Sequence, residues 1–221
     1  MSEGFRLRVK YRIGGRLAFL SHLETIRSME RIVRRAALPF AITEGFNPHM
    51  KVAFGPALPV GAGSRGEYLD VRLLKYVAPD IALEALQANA PENLMPIACE
   101  YIAYDADAID VAFPVSVWEA EITGASIEEL EAAFEKLLER GFIEVVKKKG
   151  RKETVKRVSF EARLIEDPVF TENDTCVAVR FTTYQGSEGA LRPDKFIAAA
   201  TEQLVESPYL RSLTRLELRP A

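Results

Sequence analysis

The nine residues FRLRVKYRI, numbers 5–13, alternate between apolar and basic side chains without a break. The odd positions are apolar, and the even positions carry Arg6, Arg8, Lys10 and Arg12. Because successive side chains of a strand point to opposite faces, this period of two predicts a β-strand with one buried face and one solvated basic face. Such a strand belongs in an antiparallel sheet that is covered on one side only.

A helix is predicted next, in the segment SHLETIRSMERIVRRAAL, residues 21–38. Ser21 with Glu24 three residues later forms a capping-box pattern, so Ser21 is the predicted N-cap. Apolar residues recur on one side at helical spacing. The opposite side carries four arginines: Arg27, Arg31, Arg34 and Arg35.

The pattern around these two elements predicts the fold class. The first half reads β-α-β-β-α-β, which is the ferredoxin-like order, and the second half reads β-α-β-β-β-α-β. The two halves meet near AIDVAFP, residues 108–114. We therefore predict an α+β protein of two tandem ferredoxin-like domains, residues 1–110 and 111–221. Each domain is expected to be an antiparallel sheet with helices on one face.

Composition limits the class of protein. The 221 residues are 48% hydrophobic and 28% charged, as in ordinary globular proteins. There is neither a signal-peptide core nor an apolar run of about 20 residues, so we expect a cytoplasmic protein without a membrane partner. Cys99 and Cys176 stand alone in strand-like segments and are predicted to be free, buried thiols. Without CxxC, HxH or HExxH spacing, we expect no cofactor and no metal. The alternative is a divalent metal held by the two histidines together with Glu44, Glu67 or Asp70.

Charge is unevenly distributed along the chain. Residues 1–75 contain 13 lysines and arginines against 6 acidic residues, a net charge of +7, whereas the remainder carries −10. This asymmetry favours either an electropositive face directed at an anionic partner or mutual neutralisation of the two halves.

The segment TEGFNPHMKVAFGPALPVG, residues 43–61, is rich in proline and glycine yet apolar. Such a loop is stiff, and it can present polar side chains with little loss of entropy on binding. We predict that it is half-buried and held to the core by Phe46, Val52, Phe54 and Leu58. The candidate ligand-binding residues are Asn47, His49, Lys51, Glu44 and Glu67. The alternative is a rigid connector whose polar groups satisfy the backbone.

The chain has two histidines, His22 and His49, and both are candidate acid/base residues. His22 is placed in the first turn of the predicted helix, where a neutral imidazole beside free N–H groups can bind an anion. The alternative is a purely local hydrogen-bonding role. We expect His22 to converge with the loop residues on one cleft.

The basic residues of the first half are predicted to form one RNA-binding surface. This set comprises Arg6, Arg8, Lys10, Arg27, Arg31, Arg34 and Arg35. Each charged face taken alone is typical of a solvated surface. A second basic run, KKKGRKETVKR at 147–157, is either a nucleic-acid contact or a solvated hairpin tip.

Several of these motifs together resemble a known family. FLSHLE, the R-x-x-x-R-x-x-R-R helix, GFNPH-x-K, LPVG and EYLD are similar to segments of the bacterial radical SAM-linked proteins of unknown function. Members of that family occur either fused to a radical SAM enzyme or as a separate chain. The specific likeness covers about a third of this chain, which lacks the radical SAM cysteines. The resemblance implies a stand-alone member and a radical SAM enzyme as partner.

The leading hypothesis is an RNA-binding accessory protein that presents structured RNA to a modifying or processing enzyme. One alternative is a metal-independent ribonuclease that uses His22 or His49 as acid and base. Another is a protein-only docking partner of a radical SAM enzyme.

Overall fold

The structure is a computed structural model that describes residues 4–149, 152–186, 189–202, 204 and 208–221, with the side chains of residues 147–149 and 152 excepted. Apart from the last two residues, the chain divides into two compact units, Met1–Phe113 and Pro114–Arg219. Both units are mixed α+β, as the sequence predicted. No helix within the described ranges has the length and apolar character needed to cross a membrane.

The described part of the first unit contains four strands and three α-helices, with a short 3-10 helix at Gly15–Phe19. In chain order they are β1 (Phe5–Ile13), α1 (His22–Arg35), β2 (Val52–Phe54), β3 (Gly63–Leu73), α2 (Pro79–Ala88), β4 (Leu94–Ile102) and the short α3 (Ile109–Ala112). The strands pair in the order β4-β1-β3-β2, and all of these pairings are antiparallel.

The core of the first unit lies on one face of this sheet. Odd-numbered residues of β1 and β3, such as Leu7, Val9 and Val71, are fully buried there against Met29 of α1 and Leu86 of α2. The period-two pattern of β1 therefore predicts its apolar face correctly.

The second unit repeats the arrangement with more strands. Its elements are β5 (Val115–Thr123), α4 (Ile127–Arg140), β6 (Phe142–Lys149), β7 (Lys152–Ser159), β8 (Leu164–Asn173), β9 (Cys176–Gly186), β10 (Gly189–Ala190), α5 (Pro193–Thr201) and β11 (Tyr209–Arg219). Its main sheet has the order β11-β5-β9-β8, again antiparallel, with β10 also paired to β9. Phe134 and Phe196 pack edge-to-face at 5.4 Å between ring centroids and hold α4 and α5 together.

One predicted strand is divided in the structure. The sequence from Glu153 to Glu166 reads as a single strand, but residues 160–163 form a turn between β7 and β8. Phe160 at this turn is buried against Phe196, so burial of an aromatic ring accounts for the break. β6 and β7 form a separate two-stranded ribbon that contains the basic run 147–157. Residues 150 and 151 of that run lie outside the described residues.

Both cysteines are free thiols, as predicted. Cys176 is buried, whereas Cys99 is only half-buried. Burial raises the pKa of the Cys99 thiol to about 12, so this group is protonated at neutral pH.

α1 begins with the capping box that the sequence predicts. The Glu24 amide donates to Ser21 Oγ at 3.4 Å, and the Glu24 carboxylate accepts from the Ser21 amide at 2.8 Å. The hydrogen bond from the Ser21 hydroxyl to the carboxylate, at 2.7 Å, is the main reason that the pKa of Glu24 is lowered.

Ser21→Ala is expected to lower the free energy of unfolding by about 0.5 to 2 kcal/mol, the usual cost of an N-cap. It should also raise the pKa of Glu24, which NMR titration measures. The pKa of Glu24 is lower in the folded protein than in the unfolded chain. Ionised Glu24 therefore stabilises the fold at pH values above its unfolded-state pKa, and this stabilisation is lost as the pH falls through the folded-state pKa. Ser28→Ala, inside the same helix, is the control. An unchanged Glu24 pKa in Ser21→Ala would contradict the assignment.

Candidate nucleic-acid interface

The even-numbered face of β1 is less exposed than the sequence predicts. Arg6 and Arg8 are each only 6% exposed, and both guanidinium groups bind the carboxylate of Asp70, which is 2% exposed. The shortest distances to Asp70 are 2.7 Å from Arg6 Nη2 and 2.8 Å from Arg8 Nε. These bonds raise the pKa of the Arg8 guanidinium. The prediction that this face is solvated is therefore wrong at Arg6 and Arg8.

A covering segment, residues 103–113, explains their burial. Arg6 donates to its main-chain carbonyl groups, those of Tyr104, Ala106 and Asp107. Arg72 donates to the Tyr104 carbonyl at 2.8 Å, and its guanidinium carbon lies 3.8 Å from the centroid of the Tyr104 ring. At Arg6, main-chain carbonyl groups of residues 103–113 therefore cover the polar face of the sheet.

Tyr68 is also covered by this segment. Its ring stacks on Phe113 at 4.5 Å and nearly parallel, and the Arg8 guanidinium lies 5.2 Å from the Phe113 centroid. Lys10 lies 5.6 Å from the Tyr68 centroid and is half-buried. Of the three residues of this strand that belong to the predicted RNA-binding surface, Lys10 has the most accessible side chain.

The arginines of α1 are more accessible than those of β1 at positions 6 and 8. Arg27, Arg31, Arg34 and Arg35 are all exposed, and none is ion-paired with a carboxylate in the described part of the chain. Arg31 donates to Ser28 Oγ at 3.0 Å, and Arg34 lies 5.1 Å from the centroid of Phe40. Their predicted outward orientation is observed, and their binding of RNA stays a prediction.

The start of α1 does not offer an open anion site. The Glu24 carboxylate already occupies it and accepts from the Ser21 amide, so a bound anion would be repelled. The His22 ring is half-buried and packs edge-to-face on Phe54, 6.3 Å between centroids. This contact gives His22 a local packing role.

His22 and Glu67 line one small cavity. Its volume is about 20 Å³, and its walls include Ile13 and Leu58. A space of this size holds about one water molecule, which is far less than a nucleotide needs. Glu67 is 3% exposed, so it is not available as a surface ligand.

The residues 43–49 form a closed tip loop. Ile42 and Met50 pair across its base. Inside the loop the Thr43 amide donates to the His49 carbonyl at 2.8 Å, and the His49 amide donates to Thr43 Oγ1 at 2.9 Å. Gly45 has φ +117°, which fits a turn that needs glycine. These hydrogen bonds close the loop at its base.

The anchoring of the segment is partly as predicted. Val52, Phe54 and Leu58 pack against the core of the first unit. Phe46 does not, because its side chain is fully exposed at the end of the tip loop, with a relative exposure of 112%. The prediction that Phe46 is an anchor is therefore wrong.

The predicted convergence on one cleft is not observed. The small cavity beside His22 and Glu67 has no wall contributed by the four exposed residues Glu44, Asn47, His49 and Lys51, as far as the structure describes the chain. Within the same described ranges, no three His, Cys, Asp or Glu side chains are grouped closely enough to hold a metal ion. The tip loop and the arginine face of α1 remain the accessible polar features of the candidate interface.

Asp70 has a structural role, as the buried partner of Arg6 and Arg8, that the sequence analysis missed. A signal was present, since Tyr68, Asp70 and Arg72 alternate with apolar residues in β3 as the basic residues do in β1. Pairing the polar faces of the two strands places the acid opposite Arg8, which is the observed register.

A comparison with protein-family models gives a match over most of the chain. A family model described as "Uncharacterized protein conserved in bacteria (DUF2344)" matches residues 6–193. The chain belongs to this bacterial family. The matched range includes both α1 and the tip loop, so the candidate interface lies inside the family's shared region.

The chain was also compared with curated proteins and with solved structures. No curated protein gives a significant match. Among solved structures, the chain is similar to one described as "Crystal Structure of a Cbf5-Nop10-Gar1 Complex", with a TM-score of 0.49 and 11% identity. The alignment covers 98% of this chain and 49% of that chain, so the present chain spans about half the length of that neighbour. A likeness at this TM-score carries no functional argument.

Proposed function

We propose that this protein binds structured RNA through its first unit and presents it to a modifying or processing enzyme. The observation that carries the proposal is the row of four exposed α1 arginines without carboxylate partners in the described chain. Arginines in such a row bind successive phosphates, because each guanidinium donates two hydrogen bonds to a phosphate while neutralising its charge.

The tip loop supplies the second element of the proposed interface. Phe46 offers a free aromatic face, and Asn47, His49 and Lys51 are exposed beside it. Unpaired RNA bases stack on aromatic rings and are read by side-chain hydrogen bonds, so this loop suits a bulge or loop of the RNA. Arg6 and Arg8 are excluded from this surface, because their guanidinium groups are buried on Asp70.

The proposed partner is a radical SAM enzyme made as a separate chain. The support is the resemblance of FLSHLE, GFNPH-x-K and EYLD to the radical SAM-linked proteins. We further propose that the two units are tandem ferredoxin-like domains. The antiparallel orders β4-β1-β3-β2 and β11-β5-β9-β8 support this, since each follows the ferredoxin-like arrangement 4-1-3-2.

The ribonuclease alternative gains no support from the geometry. His22 lines a cavity about the size of one water molecule, and His49 lies on the exposed tip loop. A general acid and a general base need to reach the same phosphate, and these two rings share no cavity in the described structure.

Salt dependence tests the proposal directly. RNA affinity, measured by fluorescence anisotropy from low to physiological salt, should fall steeply as salt rises. Arg27→Ala with Arg31→Ala should flatten the log–log slope by about 1 to 2 units, since each phosphate contact contributes about 0.7 to 0.9.

The matched control removes two exposed arginines from the second unit. Arg180 and Arg211 already pair with Glu119 and Glu121, so Arg180→Ala with Arg211→Ala changes the net charge equally. The control should leave the slope within experimental error. Equal slopes for wild type and the α1 variant would refute the assignment of the arginine face.

A further inference from the structure

We infer that a cleft at one end of the first unit's sheet binds the phosphate group of a nucleotide. The cleft has a volume of about 530 Å³, within the range of small-molecule sites. Arg12 and Arg65 line it from β1 and β3, and Asn93 lines it from the residues that precede β4. It uses neither the α1 arginines nor the tip loop, so the inference does not rest on RNA binding by those elements.

The backbone is distorted where the cleft forms. The pairing of β1 shifts register against β4 between Lys10 and Tyr11, and against β3 between Tyr11 and Ile13. Such irregularities bend a strand and redirect its side chains, and they are common beside binding sites. Arg12 lies at this distortion, and its side chain is exposed.

A glycine next to the cleft makes room for Asn93. Gly15 has φ +51°, and a Cβ on it would lie 3.0 Å from Cγ and Nδ2 of Asn93. The Gly14 amide donates to the Asn93 carbonyl at 3.0 Å, which fixes the backbone of the asparagine. Asn93 lines the cleft with its backbone fixed in this way, and its carboxamide carries N–H groups that can donate to an anionic oxygen.

The polar groups of the cleft fit a phosphate ester better than a bare anion. Arg12 and Arg65 both have exposed side chains that can donate to phosphate oxygens. Glu92 also lines the cleft, and its carboxylate accepts hydrogen bonds from hydroxyl or amino groups. A ligand that carries both a phosphate and hydroxyl groups can bind Arg12 and Arg65 through its phosphate and Glu92 through a hydroxyl group.

The apolar wall completes the match to a nucleotide. Ile13 and Ile97 line the cleft, and Ile97 is 38% exposed. An apolar side chain of this kind packs against the flat face of a base. The same chemistry is offered by a free nucleoside 5′-monophosphate and by the 5′-phosphorylated end of an RNA.

The test titrates adenosine 5′-monophosphate, guanosine 5′-monophosphate and unphosphorylated adenosine into the full chain, followed by NMR amide shifts. The monophosphates should shift the amides of Arg12, Ser64 and Asn93, and adenosine should not. Arg12→Gln with Arg65→Gln should weaken binding by about tenfold or more, because charge-assisted hydrogen bonds are lost. Thermal melting of the variant verifies that it is folded.

The matched control is Arg180→Gln with Arg211→Gln, which removes the same charge from exposed arginines of the second unit and should leave nucleotide binding unchanged. A 5′-phosphorylated oligoribonucleotide and its 5′-hydroxyl form are then compared as competitors. A stronger phosphorylated competitor assigns the cleft to RNA ends, and equal competitors assign it to free nucleotides. Absence of amide shifts at millimolar nucleotide, or equal binding by the cleft variant and wild type, would overturn the inference.

Discussion

Asp70→Asn is expected to lower the free energy of unfolding by about 3 to 5 kcal/mol, because it leaves two buried guanidinium groups without their carboxylate. Arg6 and Arg8 each make two hydrogen bonds to Asp70, and all three side chains are nearly inaccessible to solvent. Asparagine preserves the shape of the side chain, so the loss reports the charge and not a cavity. Urea unfolding followed by circular dichroism measures it.

Asp105→Asn is the matched control, since this aspartate is exposed in the covering segment. Its effect should stay within about 0.5 kcal/mol, as for other surface substitutions. A loss below about 1 kcal/mol for Asp70→Asn would show that water reaches the two guanidinium groups and that the sheet face is open. In that case Arg6 and Arg8 would return to the proposed RNA surface.

Phe46→Ala is expected to weaken RNA binding by about 1 to 3 kcal/mol, the usual range for one base stacked on an aromatic ring. The affinity then falls by roughly 5-fold to 150-fold. The same substitution should change the free energy of unfolding by no more than about 0.5 kcal/mol, because the ring is fully exposed. Anisotropy titration and thermal melting of the same preparation separate the two effects.

The neighbours of Phe46 and a second exposed ring sharpen this test. Asn47→Ala and His49→Ala should also weaken RNA binding while leaving stability within about 1 kcal/mol. Phe19→Ala is the control, because Phe19 is 70% exposed and lies outside the tip loop. Equal loss of affinity in Phe19→Ala and Phe46→Ala would show a general effect of exposed rings. Large destabilisation in Phe46→Ala would show that the loop is a structural connector.

The local patterns of the sequence predicted the local structure well. Alternation in residues 5–13 located β1, and Ser21 with Glu24 located the start of α1, because both signals depend on neighbours within a few residues. The outward row of α1 arginines follows from the same helical period.

The errors at Arg6 and Arg8 concern contacts between residues that are distant in sequence. The alternation in β1 gives two faces, but it cannot tell that residues 103–113 cover the polar one or that Asp70 lies opposite Arg8. Phe46 was predicted to be an anchor because aromatic residues are usually buried. The paired base of the tip loop instead projects it into solvent, and this pairing depends on Ile42 and Met50 outside the loop.

We propose that the arginine face of α1 binds RNA in the cell. Crosslinking in cells, followed by purification of the tagged protein and sequencing of bound RNA, tests it most directly. Wild type and the control Arg180→Ala/Arg211→Ala should recover the same defined RNA, and Arg27→Ala/Arg31→Ala should recover little of it at equal protein abundance. Equal recovery of RNA by all three proteins would contradict RNA binding by the arginine face of α1. So would purification of protein partners with no more RNA than an untagged control.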